Sequence, residues 1–131
     1  MIAETDVKHL QCFGTVRVLT DAKEKEHARS VFRSKYPEVV SGGIREQTRQ
    51  AFKNMQAVID TARGSMDNIV QLMIFVADKG SEKPLMEEFG AVFEVKKEFL
   101  PNAMPCGTGV RVAELAHPEL MLEVQATAVV A

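Results

Sequence analysis

The stretch Ile69-Val70-Gln71-Leu72-Met73-Ile74-Phe75-Val76-Ala77 constrains this chain more than any other, because its nine residues are apolar but for one glutamine. The run is shorter than the ~10–12 residues of an ordinary helix and far below the ~18 that span a bilayer. Val, Ile and Phe favour extended backbone. Turn chemistry stands on both sides, in Ser65-Met66-Asp67-Asn68 before it and in the polar stretch 78–83 after it. The expected structure is a central strand buried on both faces.

Helical patterns flank it. Ile44, Thr48, Ala51, Phe52, Met55, Val58, Ile59 and Ala62 recur at spacings of three and four, one apolar stripe along a helix. Gly42-Gly43 precedes that helix and Glu46 falls in its first turn. Arg63-Gly64 ends it, where a glycine tolerates left-handed backbone. Pro84 opens a second helix, with Leu85, Met86, Phe89, Val92, Phe93 and Phe99 expected to face inward and Lys96 and Lys97 matching the C-terminal dipole. Pro101 and Pro105 then bracket a loop leading to a strand at 107–113. A turn at His117-Pro118 leads to a closing strand at 120–130, and the two strands read as a hairpin. Upstream, 10–19 reads as a strand and 22–35 as a surface helix ended by Pro37. Two long amphipathic helices against one mixed sheet make an α+β two-layer sandwich. The 131 residues fit one domain.

Charge narrows the function classes. A net charge of -2, with basic residues scattered among acids, gives none of the basic stripe that phosphate contacts require, so nucleic acid is not an expected partner. No apolar run reaches membrane length, and the opening Met1-Ile2-Ala3-Glu4 lacks the apolar block of a secretory signal, so no membrane and a cytoplasmic location are expected. Cys12 and Cys106 stand far apart with no CxxC, and read as reduced, mostly buried thiols. His9, His27 and His117 have no metal-ligand spacing, so neither a metal nor another cofactor is expected.

Several stretches, in order, carry a resemblance to a known family. Val39-Val40-Ser41-Gly42-Gly43-Ile44-Arg45-Glu46-Gln47-Thr48-Arg49-Gln50-Ala51 is similar to the segment that opens the first helix in the Rid family (RidA, also YjgF), and Lys53-Asn54-Met55-Gln56-Ala57-Val58-Ile59 continues it. Asp67-Asn68-Ile69-Val70 through Phe75-Val76-Ala77-Asp78 matches the turn and strand that follow. Val110-Arg111-Val112-Ala113-Glu114-Leu115 and Leu122-Glu123-Val124-Gln125-Ala126-Thr127-Ala128 resemble its closing strands. The resemblance covers 39–131 and implies a chorismate-mutase-like fold, assembly as a homotrimer, and small-molecule clefts between subunits. Active members hydrolyse enamines and imines such as 2-aminoacrylate to a keto acid and ammonia, acting as deaminases. An arginine grips the substrate carboxylate, and a glutamate on the last strand helps to position the attacking water. An RNA-cleaving activity has also been assigned to the family.

The chain departs from that pattern at its cleft. Where deaminating members read roughly Pro-Ala-Arg-Ser-x-Val, this chain has Pro105-Cys106-Gly107-Thr108-Gly109-Val110, so Gly107 stands in the arginine's place and Thr108 keeps a hydroxyl. Glu123 aligns with the family glutamate and is the candidate catalytic residue. Cys106, Gly107, Thr108 and Arg111 are the candidate substrate-binding residues. Arg111 shares the strand parity of Gly107 but lies about 13 Å along, so it reads either as a substitute cation for a larger ligand or as a solvated arginine. Cys106 reads as a nucleophile or a structural thiol. Gly107 and Gly109 either open space for a ligand or mark a bulge. Residues 1–38 are atypical: the family's tyrosine and Ser-Gly motif are missing there. The segment from Gly14 to Leu19, with Ser34-Lys35-Tyr36-Pro37, is faintly similar to flavin-binding split barrels but has no phosphate-binding signature, and no flavin is implied. Three functions stay open: an enamine or imine deaminase, a non-catalytic small-molecule binder, and, least favoured by charge, an endoribonuclease.

Overall fold

A computed structural model of the chain describes residues 39–130 throughout and, before them, the backbone of two strands, β1 (Ile2–Ala3) and β2 (Gly14–Leu19). The helix expected over 22–35 and Tyr36 lie outside the described residues, as do residues 10–13 of the first expected strand. The remaining elements are α1 (Ile44–Thr61), β3 (Ile69–Ala77), α2 (Leu85–Phe99), β4 (Cys106–Val112) and β5 (Leu122–Val129). A single 3-10 turn, Met66–Asn68, joins α1 to β3. The result is an α+β fold in which helices lie against a mixed five-stranded sheet.

The strand order is β1-β2-β5-β3-β4. β3 is parallel to β4 and antiparallel to β5, while β2 runs parallel to β5. This corrects the expected hairpin, since β3 lies between β4 and β5. The reason is the connection: residues 113–121 exceed the ~2–5 residues of a tight hairpin loop and can straddle one strand. The crossover is tied to the end of β3, where the Ala77 amide donates to the Met121 carbonyl at 2.9 Å and the Asp78 amide to the Val112 carbonyl at 2.8 Å.

Alternation along the strands gives the sheet two unlike faces. Leu72, Ile74 and Val76 of β3, with Leu122, Val124, Ala126 and Ala128 of β5, are buried beneath Phe52, Met55 and Ile59 of α1 and Phe89, Val92 and Val95 of α2. The two helices meet through stacked Phe52 and Phe99 rings, 5.5 Å between centroids. Outside that contact, ion pairs of Arg45 with Glu94 and Arg49 with Glu98 tie the helices together. Exposed pairs of this kind contribute at most ~1 kcal/mol each. Among the described residues no element covers the other sheet face. There Gln71 is exposed and Met73 and Phe75 are half-buried, so β3 is buried on one face and not on both.

Two further expectations change. Met86 and Phe93 of α2 are exposed, and Val95 takes the inward position. At the end of α1 it is Arg63, not Gly64, that adopts positive φ, at 59°. Gly64 is required for space, since a Cβ there would sit 2.7 Å from Val130 Cγ2 and 3.0 Å from Ile59 Cγ2.

The glycines of β4 differ in the same way. A Cβ on Gly109 would lie 2.3 Å from Cζ of the buried Phe89 ring, whereas a Cβ on Gly107 meets nothing within 4 Å. Gly109 is therefore filled by Phe89 and offers no room to a ligand, and Gly107 faces open space. Gly109→Ala is expected to cost about 1–3 kcal/mol through overpacking, and Gly107→Ala to stay within about 0.5 kcal/mol of the native chain. Urea unfolding of the two variants checks this contrast.

Candidate functional site

The open face is built from rows of laterally paired residues. Val110, Phe75 and Glu123 form one row across β4, β3 and β5; Thr108, Met73 and Gln125 form the next; Cys106, Gln71 and Thr127 the third. Glu123 is the only carboxylate among them, half-buried beside a half-buried phenylalanine. Among the described residues no donor or cation meets it. Burial alone pushes its carboxyl above the ordinary value of 4.5, because partial removal from water disfavours the charged form. A carboxyl held in that condition keeps its proton more readily than a fully exposed glutamate does.

The sequence-predicted residues divide between the two faces. Cys106, Thr108 and Glu123 share the open face. Gly107 and Arg111, with the parity of Gly109, share the helix-side face. Within the open face the grouping is loose: with β3 between them, Thr108 and Glu123 have Cα atoms about 12 Å apart, and Cys106 and Glu123 about 16 Å. The Cys106 thiol is exposed, which corrects the expectation of a buried one. Gly107 is on the edge strand β4, and a Cβ there would meet nothing within 4 Å.

Arg111 is committed elsewhere. Its Nη2 donates to Glu88 Oε2 at 2.8 Å and to the Lys83 carbonyl at 3.0 Å, at the start of α2. The pair is partly shielded, with Arg111 29% and Glu88 18% exposed, so Glu88 neutralises the charge at close range. Its Nε is buried with no described hydrogen-bond partner. The choice between a substitute cation and a solvated arginine thus gives way to a third arrangement, an arginine fastening β4 to α2. Among the described residues no group of three His, Cys, Asp or Glu side chains could hold a metal, and no described helix is long and apolar enough to cross a membrane.

Two residues escaped the sequence reading. Phe89 was placed in the core, but its seat on Gly109 was not visible, although a large residue and a glycine on facing elements are a recurrent pairing. Gln47 left a clearer signal. It falls three residues after Ile44 and four before Ala51, inside the apolar stripe, where a polar group needs a partner. Its side chain bonds the backbone at both Glu119 and Met121.

Comparison with known proteins gives this arrangement its relatives. The family model described as endoribonuclease L-PSP matches residues 22–130. The chain belongs to this family, the YjgF/RidA or Rid family. It is 36% identical over 78 residues to a 2-iminobutanoate/2-iminopropanoate deaminase of Dermatophagoides farinae, covering 60% of this chain and 56% of that one. A RutC family protein of Pyrococcus horikoshii is 28% identical over 91 residues, covering 70% of this chain and 66% of the relative. Among solved structures, E. coli TdcF with bound serine superposes with a TM-score of 0.61 at 26% identity, covering 72% of this chain and 70% of TdcF. The chain thus spans between about half and two thirds of the length of these two sequence relatives. The shared fold of this Rid-family chain is the two-helix layer on a mixed sheet.

The Glu123 environment makes a pH prediction. Its value is raised on folding, so the native state binds the extra proton between the unfolded and folded values. The stabilising contribution is complete below the unfolded value and is lost as pH rises through the folded one. Glu123→Gln, neutral throughout, is expected to be more stable than the native chain at pH 7 and to lose that advantage below about pH 4.5. Thermal unfolding of both proteins across that range is the check.

Proposed function

We propose that this Rid-family protein acts on a small imine- or enamine-type molecule in a cleft completed by neighbouring copies, with Glu123 handling the protons. The observation that carries the reading is Glu123 itself. It is the one carboxylate on the open face of β3, β4 and β5, partly desolvated and free of any described cation. An imine carbon is already electrophilic, so the protein has to orient water, move a proton and hold the ligand. The Glu123 carboxylate can accept a proton from the attacking water and, once protonated, pass it to the departing nitrogen. Relatives named as 2-iminobutanoate/2-iminopropanoate deaminases support this chemistry.

The ligand is held differently from an amino-acid-derived imine. Gly107 stands where deaminating members carry arginine, and open space surrounds it. Arg111 does not replace that arginine, because Glu88 already claims its guanidinium. Cys106 and Thr108 remain as polar lining along the open face. The half-buried Met73 and Phe75 and the exposed Val110 and Val129 give that face an apolar character that another copy would cover, consistent with the homotrimer the family resemblance implies.

A second reading, a binder without catalysis, is favoured by one observation, the vacant arginine position at Gly107. Cleavage of RNA has less support. Arg45, Arg49 and Arg111 are each paired with glutamates, and the net charge is -2. Ammonia release from enzymatically generated 2-aminoacrylate separates these readings. The native chain is expected to accelerate release weakly. Gly107→Arg should raise the rate about 10- to 100-fold, the range of one restored charge-assisted hydrogen-bonding group, and Glu123→Ala should abolish it. No acceleration by either native chain or Gly107→Arg, with a ligand bound equally by native and Glu123→Ala proteins, would establish the binder instead.

A further inference from the structure

We infer that Gln47 is a positioning residue for Glu123: its buried side-chain amide clamps the segment that feeds β5 into the sheet. The functional meaning of this role rests on the reading of Glu123 given above; the geometry does not.

Gln47 lies in the first turn of α1 and is 3% exposed. A buried primary amide carries donors and an acceptor that all require partners. Gln47 spends both ends on one remote stretch of backbone. Its Nε2 donates to the Glu119 carbonyl at 3.0 Å, and its Oε1 accepts from the Met121 amide at 2.8 Å. Taking the carbonyl of one residue and the amide of the second residue beyond is how a residue in a parallel strand bonds its neighbour. The side chain therefore acts as a one-residue strand beside Glu119–Met121. The Met121 carbonyl accepts in turn from the Ala77 amide at the end of β3. The crossover is held by two elements immediately before β5 begins.

That placement bears directly on the open face. From Met121 onward Leu122 pairs with Val76 and Glu123 with Phe75. Because side chains alternate, a slip of one residue would exchange Glu123 for an apolar neighbour on the open face. Burial of Leu120 and Leu122 resists such a slip, but burial is non-directional. The hydrogen bonds from Gln47 set the height at which β5 enters beside β3, and with it the row that Glu123 occupies. Neither Gln47 nor its partners belongs to the residues that would touch a ligand.

Amide exchange and carboxyl NMR on the intact chain test the role, with Glu123→Gln used to assign the Glu123 resonance. In Gln47→Leu, exchange at Met121 and Glu123 should accelerate about tenfold or more relative to Ala126 and Ala128, the scale of one lost buried hydrogen bond. The Glu123 carboxyl should also titrate closer to an ordinary glutamate. Gln47→Glu, which keeps an acceptor for Met121 but loses the donor to Glu119, should fall between the two. Native exchange at 121–123 and a native Glu123 titration in folded Gln47→Leu would overturn the inference. Should that variant not fold, the same native behaviour in Gln47→Glu would overturn it. These readouts do not depend on turnover, so a failure of the proposed deaminase chemistry is distinguishable from a failure of the clamp. Where turnover is measurable, Gln47→Leu should lower kcat more than it raises KM.

Discussion

The backbone of Ile69–Ala77 is hydrogen-bonded on both sides, to β4 in parallel and to β5 in antiparallel pairing, and the remaining architecture follows from that placement. An apolar strand cannot sit at an edge without offering unpaired backbone and sticky side chains together. Once it lies inside the sheet, the connection from β4 to β5 must pass over its end, and the crossover at 113–121 does so. The helices then cover one face of the sheet, so that alternate residues of β3 and β5 enter the core and the others remain on the open side. Glu123 is on the open side because Leu122 and Val124 are not.

The same alternation separates the residues that the family resemblance groups together. Gly107 and Arg111 belong with the helices, and Arg111 serves there as a fastening between β4 and α2. Cys106, Thr108 and Glu123 belong to the open face, spread over two strands that do not touch. A cleft that used both sets would have to reach around β4, the edge strand among the described residues. Such a cleft needs a further wall, which under the proposed assembly comes from a neighbouring copy.

Much of this was legible in the residues. The periodic stripes of α1 and α2 and the apolar run of β3 place those elements to within a residue or two, because burial of one face at a fixed period leaves a strong mark. Pairing left no such mark. His117-Pro118 signals a turn, but nothing in 107–130 says whether the turn joins neighbours or crosses a strand, and the hairpin reading failed there. Apolar residues on both parities of β3 signal burial on both faces, but among the described residues only one parity is covered. Gly64 and Gly109 were visible as glycines, but only packing shows that Val130 and Phe89 require them. At the candidate site the alignment on the family supplied Glu123 and Gly107. The Glu88 partner of Arg111 and the Gln47 clamp came from contacts distant in sequence, which pattern reading does not reach.

Under the assembly proposed above, the open face carrying Glu123 is also the face on which copies of the chain meet. Sedimentation equilibrium on the native chain and on Met73→Glu tests it most directly, since Met73 lies in the middle of that face, between Thr108 and Gln125. A charge buried against another copy's apolar surface without a partner is strongly disfavoured. The expected result is a native particle of three 14.5 kDa chains and a single folded chain for Met73→Glu. A native protein that sediments as one chain, or a Met73→Glu variant that keeps the native mass, would contradict it.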